Sequence, residues 1–275
     1  MNLTPPPIPD FEPVGGLLAS LDLVRVTQAG PVTHLRLNRP AKRNAINEAL
    51  MRQIHTAMIQ LPAGTRALVI SGEGDHFCAG LDLSDLGERS VADGVQHSRG
   101  WHQVMDAIQF GPVPVVVALH GAVVGGGLEL AAAAHIRVAD DSAYFALPEG
   151  QRGIFVGGGG SARIPRLAGV ACMTDMMLTG RVLDAQEGER RGLAQYVVAA
   201  GQAVDKAVEL AWRIAQNAPL SNYAVTQALP RIADLPQADG LFMESLMAAI
   251  AQGDEVAKER LQDFLQKRAA KVVKP

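Results

Sequence analysis

Only two cysteines occur among the 275 residues, Cys78 and Cys172, and they stand in no CxxC spacing. That excludes a metal knuckle built on cysteine pairs and argues against a disulfide framework. The chain also lacks a dominant charge: 25 Lys and Arg face 28 Asp and Glu, for a net charge of −3. Neither nucleic acid nor an anionic membrane surface is therefore expected as a main partner. No long apolar run is unbroken. The most apolar region, 112–134, is interrupted by His120, four glycines and Glu129, and reads as a buried strand–turn–helix, not a membrane span. The seven histidines form no HxxxH or HxxE pair, so no metal is expected. No Gx[ST]xG elbow is present: Ser161 follows four glycines without the required spacing, which argues against a serine hydrolase. GGGLEL (125–130) and GGGGSAR (157–163) match neither GxGxxG nor a lysine-bearing phosphate loop. The first residues, MNLTPPPIPDFEP, lack a basic segment followed by an apolar one. They read as a Pro-rich arm or a strap over a neighbouring subunit, and the chain is expected to be soluble and cytoplasmic.

What is present is an ordinary globular composition, 48% hydrophobic and 19% charged, in a chain long enough for a sizeable core. Residues 21–26 and 32–37 alternate in character around Ala29-Gly30-Pro31, the pattern of a β-hairpin. Apolar residues then recur at helical spacing over 44–61, with Asn44 as candidate N-cap. ALVISG (67–72) reads as a buried strand, 94–110 as a helix carrying Trp101, and 112–121 as a β-branched strand. A helix is expected over 126–134, where Leu, Glu and Ala dominate, and short strands over 136–140 and 143–147. Asp140-Asp141 reads as a strand-end turn. Beyond about 160 strand signals fade, and helices are expected at 170–178, 184–191, 202–217, 239–252 and 254–270. The expected architecture is an α/β core followed by a helical region.

Two glutamates twenty residues apart, Glu129 and Glu149, each lie beside a glycine-dense segment. Glycine lets the backbone turn sharply and approach a ligand. A helix N-terminus adds unpaired N–H groups and partial positive charge. Such N–H groups can hold a negative oxygen while a carboxylate moves a proton nearby, which suits chemistry next to a thioester carbonyl. Glu129 lies about one helical turn past Gly126. A tight strand–helix connection with a solvated glutamate explains the same residues, and local physics leaves both readings open. In FCAGLDL (77–83), Ala79-Gly80 supplies a bend, the Leu81 N–H is a second donor candidate, and Asp82 is placed to cap a following turn. Glu149 sits between Pro148 and Gly150, where most glutamates are exposed turn residues. The intervening helix and strands are enough to return the chain to the Glu129 cleft. Lys42, Arg43, Arg163 and Arg166 are candidates for phosphate, although scattered basic residues are more often solvated surface.

Taken together, LNRPAKRNAIN (37–47), ALVISGEGDHFCAGLDL (67–83), HGAVVGGGLELA (120–131), FALPEGQRGIFVGGGGSARIPRLAG (145–169), LTGRVLDAQEGERRGL (178–193) and DFLQKRAAKV (263–272) occur in an order that resembles the crotonase (enoyl-CoA hydratase/isomerase) superfamily along roughly 20–270. The resemblance implies an α/β fold, a crotonase-like spiral of ββα units with a C-terminal helical trimerisation region. It implies an arm over 1–17, a spiral core with the active site over 18–200, and an oligomerisation region over 201–275. It implies that the Leu81 and Gly126 N–H groups form an oxyanion hole and that Glu129 and Glu149 are the catalytic acids and bases. CoA is then expected along Ala79, Gly80, Leu81, Asp82, Leu83, Ser84, Gly125 and Gly126, with Lys42 and Arg43 near its nucleotide end and Lys267-Arg268 reaching a neighbouring subunit's CoA phosphates. Losing one oxyanion donor typically costs about 10²–10³ in rate. Glu129 is expected to act on water and Glu149 to protonate the α-carbon, with a burial-raised pKa on one of the coupled pair.

The implied activity is hydration of a trans-2-enoyl-CoA to 3-hydroxyacyl-CoA, of the fatty-acid or aromatic-acid β-oxidation type. The alternatives are an enoyl-CoA isomerase, a hydroxycinnamoyl-CoA hydratase-lyase and, more remotely, a non-catalytic CoA-binding protein. No cofactor is expected, CoA being part of the substrate, and the assembly is expected to be a homotrimer or a dimer of trimers. Three departures stand out: Leu81 where relatives carry alanine, VGGGG at 156–160, and Arg152, which is expected on the surface.

Overall fold

The computed structural model describes residues 9–85, 87 and 90–266. Lys267, Arg268 and the first eight residues of the Pro-rich arm lie outside the described residues. In chain order the elements are β1 (Glu12–Pro13), β2 (Val24–Ala29), β3 (Val32–Leu37), α1 (Glu48–Ile59), β4 (Ala67–Gly72), α2 (Val91–Gln109), β5 (Val115–Leu119), β6 (Ala122–Val124), α3 (Gly126–Ala133), β7 (Ile136–Asp140), β8 (Tyr144–Ala146), α4 (Gly160–Ala168), α5 (Val170–Thr179), β9 (Leu183–Asp184), α6 (Ala185–Arg190), β10 (Tyr196–Val198), α7 (Ala203–Ala215), α8 (Pro219–Tyr223), α9 (Leu229–Ala233), α10 (Gln237–Gly253) and α11 (Glu255–Leu265). A π-helical turn, Ala224–Ala228, joins α8 to α9.

Seven strands form the large sheet in the order β1-β2-β3-β4-β5-β7-β10. The expected hairpin is present, with Val24 opposite Leu37 and Ala29 opposite Val32. From β3 onward the pairing is parallel. Both faces of that parallel part are buried, so its strands read as near-continuous apolar runs. On one face Val32, Ala67, Val69, Val116, Ala118 and Val138 pack against α7. On the other, Leu35, Leu37, Leu68, Ile70, Val117 and Leu119 pack toward the helices of the spiral. The strict alternation follows from the period of two along a strand.

A second, thinner layer is made by short crossing segments. β8 pairs with β6 on one side and β9 on the other, and two isolated bridges, Ile46 to Leu81 and Cys78 to Val123, extend the same layer. Each turn of the chain thus runs from a large-sheet strand through this layer into a helix. β5–β6–α3 and β7–β8–α4 are the clearest such ββα units.

Local chemistry fixes the helix starts. Asn47, not Asn44, caps α1: its side chain accepts the Leu50 N–H at 2.9 Å. Asn44 is instead buried with φ of 54°. Its side-chain oxygen accepts the Arg39 N–H, and its amide donates to the Glu73 and His76 carbonyls. It knits two loops together, a role that local spacing does not reveal. Strands also persist beyond 160, as β9 and β10, each too short to produce an alternating pattern. α4 escapes pattern reading because glycines precede it and Pro165 lies within it. Both cysteines are free. No described helix is long and apolar enough to cross a membrane.

Candidate active site

β6 ends at Val124, Gly125 turns the chain, and α3 begins at Gly126. Gly125 has φ of 52°, and a Cβ there would lie 2.6 Å from Glu149 Oε1. Only glycine permits both that conformation and that approach. The 77–81 loop comes in beside it: a Cβ on Gly80, itself at φ of 93°, would lie 3.5 Å from the Gly126 nitrogen. The loop is held by Ile46 N–H to the Gly80 carbonyl, Asp82 N–H to the Ile46 carbonyl and Ala79 N–H to the Arg43 carbonyl. The N–H groups of Leu81 and Gly126 donate to no protein atom among the described residues.

All eight residues of α3 are buried, Glu129 included. Its Oε1 accepts the N–H groups of Gly158 and Gly160, each at 2.8 Å. Burial raises the Glu129 pKa above the usual glutamate value, opposed by these backbone donors and by Arg163. Glu149 follows β8 and is 7% exposed, so it is not an open turn residue. Its backbone carbonyl accepts the Arg152 and Ile154 N–H groups. Its Oε2 is buried with no hydrogen-bond partner among the described residues. Burial, then the charge of Glu129, holds its pKa up, against its own backbone N–H and Arg152. Both carboxyls are thus raised, where one was expected.

Leu81, Gly126, Glu129 and Glu149 line one cavity of about 350 Å³. Val156, Gly157 and Gly158 of the VGGGG stretch join them. The wall also draws on residues that the sequence did not assign to a site, among them His97, Ser98 and Trp101 from α2, and Ile154 and Phe155 from the loop after Glu149. Ser98 Oγ donates to the Gly157 carbonyl at 2.6 Å, tying α2 to that loop. Helical spacing from Trp101 back to His97 and Ser98 was the available signal for the α2 face.

Leu81 also borders a second cavity, about 320 Å³, with Lys42, Arg43, Ala79, Asp82, Leu83, Ser84 and Arg152. Asp82 accepts the Ser84 N–H and hydroxyl and pairs with Arg39 at 3.0 Å, so it shapes this groove. Arg152 is exposed as expected, yet it lines the groove beside Lys42 and Arg43. Arg163 is not a free surface cation: it pairs with Asp106 at 2.5 Å and donates to Gln109 and the Gly158 carbonyl. Among the described residues no group of three or more His, Cys, Asp or Glu is placed to hold a metal ion.

The family pattern described as enoyl-CoA hydratase/isomerase matches residues 27–273. The 2,3-dehydroadipyl-CoA hydratase of Escherichia coli K12 is 33% identical over 88% of this chain and 95% of its own length. A solved structure from Rhodopseudomonas palustris CGA009, provisionally named an enoyl-CoA hydratase, is 57% identical, with a TM-score of 0.88 over 92% of this chain and 98% of that one. The enoyl-CoA hydratase structure from Bacillus anthracis is 31% identical, with a TM-score of 0.84 over 90% and 98%.

Proposed function

This chain belongs to the enoyl-CoA hydratase/isomerase family, and on that premise we propose that it adds water across the double bond of a trans-2-enoyl-CoA to give a 3-hydroxyacyl-CoA. The observation that carries this reading is the unequal setting of two buried carboxyls in one cavity. Glu129 accepts two backbone N–H groups, which favours its ionised form. Glu149 Oε2 has no donor, and the Glu129 charge further favours its protonated form. Burial raises both carboxyls, and this difference in donors is what suits Glu129 to the base and Glu149 to the acid.

In the proposed reaction Glu129 removes a proton from water as the water oxygen bonds to the β-carbon. Charge moves to the thioester oxygen, where the Leu81 and Gly126 N–H groups receive it. Glu149 then gives its proton to the α-carbon. Product release lets Glu149 regain a proton and Glu129 lose one. CoA lies in this reading along Ala79, Gly80, Leu81, Asp82, Leu83, Ser84, Gly125 and Gly126, with Lys42, Arg43 and Arg152 facing its phosphates. CoA arrives as part of the substrate, and no further cofactor is required. We also infer a cytoplasmic homotrimer or dimer of trimers, supported by the exposed apolar side chains of α10 and α11.

The experiment is loss of enoyl-thioester absorbance with crotonyl-CoA, with products identified by mass. A water adduct is expected. A shifted double bond would replace this reading by an isomerase. CoA binding without turnover of any enoyl-CoA would replace it by a CoA-binding protein. An aldehyde released with acetyl-CoA from a hydroxycinnamoyl-CoA would replace it by a hydratase-lyase.

A further inference from the structure

A third cavity, about 600 Å³, opens between α2, the C-terminal end of α3, α4 and α9, and neither Glu129 nor Glu149 lines it. Its wall is unusually cationic. Two of its arginines are already paired, Arg163 with Asp106 and Arg166 with Asp234. Three others, Arg99, Arg137 and Arg231, meet no carboxylate among the described residues. Arg231 is exposed, stacks on Phe110 4.2 Å from the ring centre, and donates Nη1 to the Gln227 carbonyl and side-chain oxygen. Arg99 is exposed with no partner among the described residues.

Arg137 is the unusual one. It is 3% exposed. Its only side-chain hydrogen bond among the described residues is from Nη1 to the Ala134 carbonyl, at 2.7 Å, and its Nε is buried without a partner. Burial pushes its pKa down to about 10, and no neighbouring charge opposes the shift. It remains a cation at neutral pH. Capping the end of α3 accounts for one N–H of a guanidinium that has five. A buried cation without a counter-charge is strongly unfavourable, and a planar fork of donors matches an oxyanion.

We propose that this cavity is an oxyanion site, in which a phosphate or carboxylate group sits against the buried Arg137 with Arg99 and Arg231 at the rim. Two sources share that chemistry: a free small anion, and an acidic side chain of a second copy of this chain. Because a CoA substrate carries its own phosphates, the test reads binding without substrate.

Thermal unfolding of the full chain is measured against inorganic phosphate at constant ionic strength, so that general screening is held fixed. The midpoint is expected to rise by on the order of 5 °C at about a hundred times the dissociation constant. Arg137→Met is expected to abolish the rise. Arg99→Ala, an exposed change that leaves folding intact, is expected to weaken phosphate binding about tenfold, and it decides the matter should Arg137→Met fail to fold. A phosphate response unchanged in the folding variants would overturn the site. If phosphate has no effect, sedimentation of the same variants decides: a smaller assembly would assign the oxyanion to a second copy, and an unchanged assembly would overturn the proposal.

Discussion

α3 and α10 are opposite solutions to being a helix in this chain. α3 has eight residues and buries every one, a glutamate among them. α10 has seventeen and buries only Gly240, leaving Leu241, Phe242, Leu246 and Ile250 exposed. α3 is completed by its own chain, packed between Cys78, Trp101 and the 158–160 turn. α10 presents an apolar face that the described residues do not cover. Such contiguous faces on soluble proteins usually mark contact surfaces. The contrast teaches where each kind of damage should register: around α3 in chemistry, along α10 in assembly.

The largest effect is expected around α3. Glu129→Gln and Glu149→Gln should each lower kcat by about 10²–10⁴ in the enoyl-CoA assay while the assembly stays intact. Wild-type kcat should follow a bell in pH whose two limbs belong to the coupled pair, both displaced above the ordinary glutamate value of 4.5. Gly125→Ala comes next. It strains a backbone at φ of 52° and drives a methyl against Glu149 Oε1, so kcat should fall by roughly 10²-fold through misplacement alone. Retained kcat would mean that Glu149 has room to move aside.

Along α10 the expected readout changes. Phe242→Asp with Leu246→Asp should reduce the sedimenting mass while far-ultraviolet circular dichroism holds. If the face were merely solvated, mass would not change and stability would shift by no more than about 0.5 kcal/mol. The smallest effect is a stability difference. A buried carboxyl with a raised pKa binds more protons folded than unfolded, so wild-type stability falls as pH rises from 4.5 through the folded pKa. Glu149→Gln lacks that loss. It should match wild type below pH 4.5 and exceed it by a few degrees in midpoint near neutrality. An equal difference at every pH would remove the carboxyl's charge as its cause.

Much of the large sheet was legible because its strands are fully buried and β-branched: Ala67–Gly72 and Val115–Leu119 announce themselves. Glu129 and Glu149 line one cavity, a meeting that the helix and strands between them allowed. Local residues left a solvated glutamate and an open turn equally plausible, and only the family resemblance paired the two. The wall supplied by α2 was not legible, because His97, Ser98 and Trp101 acquire a common target only when α2 lies against the 154–158 loop. Asn44 misled for a related reason. Its spacing fits a cap, but its three partners lie at residues 39, 73 and 76, across the chain. Arg163 likewise reads as surface until Asp106 and Gln109 are placed beside it.

The thin layer joined by the Ile46–Leu81 and Cys78–Val123 bridges carries one more consequence, in time rather than in space. Each bridge ties one turn of the spiral to the next, and the cavity draws residues from four stretches of chain between Leu81 and Gly158. Parallel strands joined by long crossovers form slowly, because loop closure must precede the contacts that reward it. During refolding, helical signal should therefore return first, and the capacity to turn over substrate only after the last crossing has closed.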